Sequence, residues 1–195
     1  MTKNVAAIFG SSISQGNTGK LLREAVRGAE DAGCCVEVID VPKLNISGCS
    51  QIYGCLSEKQ CFLDDQMQKY FEMIKKCDGI ITASPVMTYG IPGRLKCFLD
   101  RFQVFYMAKY IRKQPFVSKE AAKRRKMLFI SIAGMNTDDV FDGSILTMKA
   151  FCDIIDCRYS DELLQNDMDR ILNIDRLPDV LKAAYDKGYA LGSSI

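Results

Sequence analysis

The 195-residue sequence contains no histidine and no tryptophan. Without histidine the chain lacks the commonest general base at neutral pH and the commonest metal ligand, so Ser-His-Asp and Cys-His mechanisms are excluded. An excess of charge of one sign is missing too. Lys and Arg number 26 against 24 Asp and Glu, leaving +2, and no global field recruits nucleic acid or a membrane surface. The densest basic run, Lys119 to Lys126, is short and reads as a solvated loop before a strand. No uninterrupted apolar stretch approaches membrane-spanning length, and the first apolar run is too short for a signal peptide. These absences predict a cytoplasmic protein without nucleic-acid or membrane partners. Low-complexity segments and internal repeats are also lacking. With five prolines, 14 glycines and 48% hydrophobic residues, residues 1–195 read as a single compact domain.

What is present in quantity is cysteine: nine residues, an odd count with no secretory signal to explain it by disulfides. Cys34, Cys35, Cys77, Cys97, Cys152 and Cys157 lie in or beside apolar segments and read as small core hydrophobes. Cys49, Cys55 and Cys61 stand apart in GCSQIYGCLSEKQC (48–61), at an even stride of six. That spacing lacks the paired C-x-x-C of a zinc ribbon.

Apolar periodicity alternates between two kinds of segment. NVAAIFG (4–10), CCVEVIDV (34–41), DGIITASPV (78–86) and KMLFISIAG (126–134) read as strands, with a weaker one at 157–164. Between them, helices are expected from Thr18 to Ala32, from a cap at Asp64 or Asp65 to Lys76, and from Ile91 to Met107. Two more are expected from about Val140 to Ile155 and from about Leu177 to Leu191. Tyr110 to Arg125 is the longest unassigned connection. Five β-α repeats with right-handed crossovers predict an α/β doubly wound, largely parallel, five-stranded sheet in a three-layer sandwich, though not its strand order.

In such sheets ligands bind beyond the carboxyl ends of the strands. The first loop there, GSSISQGNTGK (10–20), gathers hydroxyls and glycines at a helix N-terminus, a composition suited to an anion. It is not a Walker A loop, because Ser14 stands where the first glycine belongs and Leu21 where the hydroxyl belongs. The second, ASPVMTYGIPGRLKCFLDR (83–101), bends at Pro85, Gly90, Pro92 and Gly93. Its Val86, Met87, Thr88 and Tyr89 offer a surface for a flat heterocycle. The third, SIAGMN (131–136), brings a glycine to the end of the fourth strand.

In this order and at these separations, GSSISQGNT, CFLDD (61–65) and SPVMTYGIPGRLKCFLDR resemble the flavodoxin-like NAD(P)H-dependent FMN reductases, and in particular their iron–sulfur flavoprotein branch. The resemblance runs from about Val5 to Gly134. It implies a flavodoxin-like fold, bound FMN, NAD(P)H as co-substrate, and electron transfer to a small acceptor such as a quinone or free flavin, or to a protein partner. It also implies a homodimer or homotetramer, to which the aromatic stretch Phe98 to Tyr110 is a candidate contributor. Ser11, Ser12, Gln15, Asn17 and Thr18 then fall at the FMN phosphate, Pro85, Val86, Met87 and Thr88 against the flavin ring, and Ala133 and Gly134 on the third flavin loop. Two positions depart from the pattern: Ile13 replaces an arginine beside the phosphate, and Met87 replaces a tyrosine beside the ring.

The branch with a cluster carries C-x2-C-x2-C-x5-C in the cysteine loop. Laid on this sequence, that pattern puts Cys49, Cys55 and Cys61 on three of the four positions and Ile52 on the other. The three cysteines are thus candidate ligands of an incomplete 4Fe-4S cluster, or thiols that pack the loop over the sheet edge or at a subunit contact. An alternative to the reductase is an electron carrier without NAD(P)H oxidation, for which Asp138, Asp139 and Asp142 would offer an acidic face.

Overall fold

The computed structural model describes residues 2–58 and 60–195. Five strands, β1 (Lys3–Phe9), β2 (Cys34–Asp40), β3 (Gly79–Pro85), β4 (Lys126–Ile132) and β5 (Arg158–Gln165), form one parallel sheet in the order β2-β1-β3-β4-β5. This is the flavodoxin-like order. The three inner strands are buried almost throughout, as their unbroken apolar runs require, whereas β2 and β5 lie at the edges and keep exposed positions.

Helices α1 (Asn17–Asp31), α2 (Met67–Lys76), α3 (Gly93–Asp100), α4 (Gln103–Tyr110), α5 (Lys119–Arg124), α6 (Asp142–Ile154), α7 (Met168–Ile171) and α8 (Pro178–Ser194) complete the chain. Alternation along β1 sorts the two faces. Val5, Ala7 and Phe9 pack with Leu21, Leu22, Ala25 and Ala29 of α1 and Ala184 and Leu191 of α8. Ala6 and Ile8 face the opposite layer with Phe71 and Ile74 of α2, Leu95 and Phe98 of α3, and Phe151 of α6. At the α1–α8 crossing two glycines permit close approach: a Cβ on Gly188 would lie 2.0 Å from the Ala25 carbonyl oxygen, and one on Gly28 2.1 Å from that of Tyr185.

The structure corrects three expectations. The single helix expected from Ile91 to Met107 is two, because at Arg101–Phe102 the bonding tightens to Phe102 N–H donating to Leu99 C=O (3.0 Å) and Phe105 N–H to Phe102 C=O (2.8 Å). The basic run is not a loop: Ser118 caps α5 by accepting from Ala121 N–H at 3.2 Å, and Arg125, just past the helix, is buried. The aromatic stretch divides, with Phe98 and Phe102 wholly in the core and Tyr106 and Tyr110 exposed.

Candidate functional site

The strand order reverses between β1 and β3, so their following loops diverge to opposite faces and leave a crevice at the carboxyl edge. Backbone bonds stitch the three expected loops side by side there. Gly10 N–H donates to Ala83 C=O (2.8 Å), Val86 N–H to Ile132 C=O (2.8 Å), and Ala133 N–H to Gln165 C=O (2.9 Å). Ser11, Ser12, Gln15, Asn17 and Thr18, then Pro85, Val86, Met87 and Thr88, then Ala133 and Gly134, therefore share one end of the sheet.

In the first loop Ser11 is buried and its Oγ accepts from Ile13 N–H at 3.3 Å, while Gly16 N–H closes onto Ile13 C=O at 3.0 Å. Gly16 is extended and supplies no side-chain cap to α1. Lys20 N–H is the first to find an intrahelical acceptor, at Gly16 C=O (3.0 Å), so the N–H groups of Asn17, Thr18 and Gly19 project from a 15-residue helix at its positive end. The Asn17 side chain is engaged elsewhere: Nδ2 donates to Leu172 C=O at 2.9 Å and Oδ1 accepts from Ile174 N–H at 3.0 Å. Ile13 is 68% exposed, so the position that carries arginine in the resembling family opens to solvent.

The second loop is a tight turn. Met87 N–H donates to Gly90 C=O (2.7 Å) and Gly90 N–H to Met87 C=O (3.1 Å), around Thr88 and Tyr89 at φ 51° and 57°. Both φ values are those of a type I′ turn, which favours Asn-Gly; a β-branched threonine there is a strained choice at the rim of the crevice. Met87 stands 59% exposed. The third loop holds Ala133 in the core, and Gly134 is covered by Asp169, whose Oδ1 would lie 2.4 Å from a Cβ there. The segment from Asn166 to Arg176 was invisible to sequence reasoning. It supplies this carboxylate, the carbonyl that orients Asn17, and Asp175, which pairs with Lys20. No motif marks it; only the fold brings it to α1.

The cysteine loop follows β2 and lies against α3 and α4. Cys49, Ile52, Cys55 and Cys61 share with Lys96 and Met107 the wall of a cavity of about 330 Å³. Ile52, at the missing ligand position, is exposed. Burial pushes the Cys55 thiol up, the neighbouring Cys49 and Cys61 add to this, and Arg112 only partly offsets it. Among the described residues no three Cys, Asp or Glu side chains converge to hold a metal ion. A four-thiolate cluster needs four cysteines, and with Ile52 at one position the loop supplies three, so the donor set does not fit it.

What fixes this loop is an ion pair that the sequence did not announce. Arg101, its side chain wholly buried, bonds both oxygens of Asp65, and reaches Ser47 C=O (2.9 Å), Leu63 C=O (3.3 Å) and Cys61 Sγ (3.4 Å). Burial opposes the Asp65 charge. Hydrogen bonds from Arg101 and from the N–H groups of Met67 and Ser47 outweigh it and hold the carboxyl below its usual range.

The sequence profile of the NADPH-dependent FMN reductases matches residues 3–138. The chain belongs to that family. Among its curated relatives, an iron-sulfur flavoprotein of Archaeoglobus fulgidus is 31% identical over 94 residues, 48% of this chain and 43% of the relative. An iron-sulfur flavoprotein of Methanocaldococcus jannaschii is 33% identical over 97 residues, 50% of each chain. The chain thus spans about half the length of the curated relatives it matches. Two solved structures share the fold of this FMN reductase family member. The NAD(P)H:quinone oxidoreductase from Methanothermobacter marburgensis superposes with TM-score 0.72 at 19% identity over 98% of both chains. An FMN-dependent NADH-azoreductase from Bacillus anthracis, in complex with FMN, gives 0.71 at 13% identity over 97% of this chain and 100% of that one.

Proposed function

We propose that the chain binds FMN in the β1/β3 crevice and works as an NAD(P)H-dependent reductase. The observation that carries this reading is the start of α1: three projecting N–H groups, a buried Ser11 beside them, and no side chain capping the helix. Such an end suits a phosphate monoester. Asn17 and Thr18 would hold the phosphate through their backbone N–H groups, since the Asn17 amide is spent on Leu172 and Ile174. Ser12 and Gln15, both exposed, line the loop's outer side. Pro85, Val86, Met87 and Thr88 would carry the isoalloxazine, and Ala133 and Gly134 close its far side.

When bound, the flavin supplies the redox chemistry, taking hydride from the nicotinamide and passing electrons on. The protein's part is binding and orientation. A chain without histidine suffices, because no side chain of this site has to act as an acid or base. The acceptor in this reading is a small molecule such as a quinone or free flavin, or a protein partner, and the setting is cytoplasmic. Among the described residues no helix is long and apolar enough to cross a membrane. Exposed Ile13, Met87, Tyr89 and Leu172 rim the crevice with apolar surface, which supports completion of the site by a second subunit in a homodimer or homotetramer.

The test is a pair of titrations, FMN and riboflavin, followed by flavin fluorescence. Recognition of the phosphate predicts FMN binding at least about tenfold tighter than riboflavin, a difference of about 1.4 kcal/mol. Equal affinities would remove the α1 loop from the site.

A further inference from the structure

At the opposite end of the sheet from the crevice, two of the cysteines read from sequence as core hydrophobes meet in a specific geometry. Helix α6 ends in a motif in which Cys157 N–H donates to Cys152 C=O (2.9 Å) and Asp156 N–H to Asp153 C=O (3.3 Å), with Asp156 left-handed at φ 49°. This is a Schellman ending, whose geometry brings the side chains of its first and sixth residues into contact. Apolar residues usually make that contact. Here the first and sixth residues are both thiols, of which the Cys152 thiol donates to Met127 Sδ and the Cys157 thiol to Arg158 C=O at 3.9 Å. Cys152 is buried, its sulfur 3.3 Å from Met127 Sδ, while Cys157 keeps partial access to solvent.

The charge beside them is unusual. Arg125 is 2% exposed, and its hydrogen bonds go to carbonyl oxygens: Ile74 (2.9 Å), Lys75 (3.4 Å) and Cys77. Its Nε is buried without a partner among the described residues, and the guanidinium stands 5.6 Å from the Phe116 ring centre. A buried guanidinium bonded only to carbonyls favours an anion nearby. The groups around the pair are Arg125, Arg158, Cys77 and Asp153. The neighbouring Cys152, with Arg125 and Arg158 assisting, pulls the Cys157 thiol down against the effect of burial, while Cys157 and burial push Cys152 up.

We propose that Cys157 and Cys152 form a peroxide-sensitive thiol pair, with Cys157 the attacking sulfur and Cys152 the resolving one. The Cys157 thiolate attacks one oxygen of hydrogen peroxide, the O–O bond breaks, and the leaving hydroxide ends as water with the proton that the Cys157 thiol gave up. The sulfur becomes a sulfenic acid, oxidised by two electrons as the peroxide is reduced. Cys152 then attacks that sulfur; the S–S bond forms, the S–O bond breaks, and hydroxide departs with the Cys152 proton as water. The product ties the end of α6 to the start of β5. A small dithiol reverses it by exchange.

The experiment uses the full chain, exposed to hydrogen peroxide, alkylated and cleaved with trypsin. Both cysteines fall in one tryptic peptide, AFCDIIDCR, between Lys149 and Tyr159. We expect this peptide to emerge unalkylated and two hydrogens lighter, and to recover both alkyl groups after dithiol treatment. In Cys152→Ser the expected product is a Cys157 sulfenic acid captured by a diketone probe; in Cys157→Ser, Cys152 stays reduced. Recovery of AFCDIIDCR with both thiols alkylated, under conditions where exposed Cys35 is oxidised, would overturn the proposal. Equal oxidation of Cys152 in Cys157→Ser would overturn the assigned roles.

Discussion

At the residue scale, two positions in the loops of the crevice matter most, Ile13 in the first and Tyr89 in the second. Ile13 is exposed beside the free N–H groups of α1, so Ile13→Arg adds a cation where the phosphate is proposed to sit. A charge-assisted bond there is expected to tighten FMN binding about tenfold, or about 1.4 kcal/mol, with no gain for riboflavin. Tyr89 occupies a left-handed position that glycine adopts freely. Tyr89→Gly should stabilise the flavin-free protein by about 1 kcal/mol in a denaturant titration. Motif reading located three of the loops at the crevice, because serine, glycine and proline signal turn chemistry directly, but not the segment from Asn166 to Arg176. It could not say how particular groups are used: the Asn17 amide bonds Leu172 and Ile174, partners some 155 residues away. Local sequence carries no record of such a contact.

At the element scale, the cysteine loop is held by the Arg101–Asp65 pair. Removing one partner leaves a buried charge, so Asp65→Asn is expected to cost about 3–5 kcal/mol and to raise the rate at which Cys61 is alkylated at neutral pH. The pH dependence has a definite sign. Asp65 is held below its usual value, so its contribution is full above the unfolded pKa of about 4 and is lost as pH falls through the folded value. Amide exchange across residues 47–58, corrected for its intrinsic pH dependence, should accelerate below about pH 4. The sequence marked the loop through its cysteine spacing and α3 through its apolar period. It did not reveal the break between α3 and α4, because Phe98, Phe102 and Phe105 keep helical spacing while the chain tightens at Arg101 to aim a guanidinium at Asp65. The buried place of Arg125 was hidden for a similar reason: a basic run looks solvated until the carbonyls that accept it are known.

At the scale of the whole molecule, the sheet and its layers were legible as an alternation of apolar runs, whereas the order β2-β1-β3-β4-β5 was not, since pairing partners lie far apart in sequence. That order creates the crevice. The α1–α8 layer behind it depends on Gly28 and Gly188, and Gly188→Ala would force a methyl against the Ala25 carbonyl. It is expected to cost about 1–3 kcal/mol in thermal or denaturant unfolding. The crevice is proposed to hold a flavin that nicotinamide reduces. The direct measurement is the visible absorption of the FMN-loaded chain without oxygen, titrated with NADPH and separately with NADH, then with a quinone. The flavin band is expected to bleach with at least one nicotinamide and to return on addition of the quinone through repeated cycles. A band that persists under both nicotinamides would contradict the proposed reductase and leave an electron carrier in its place.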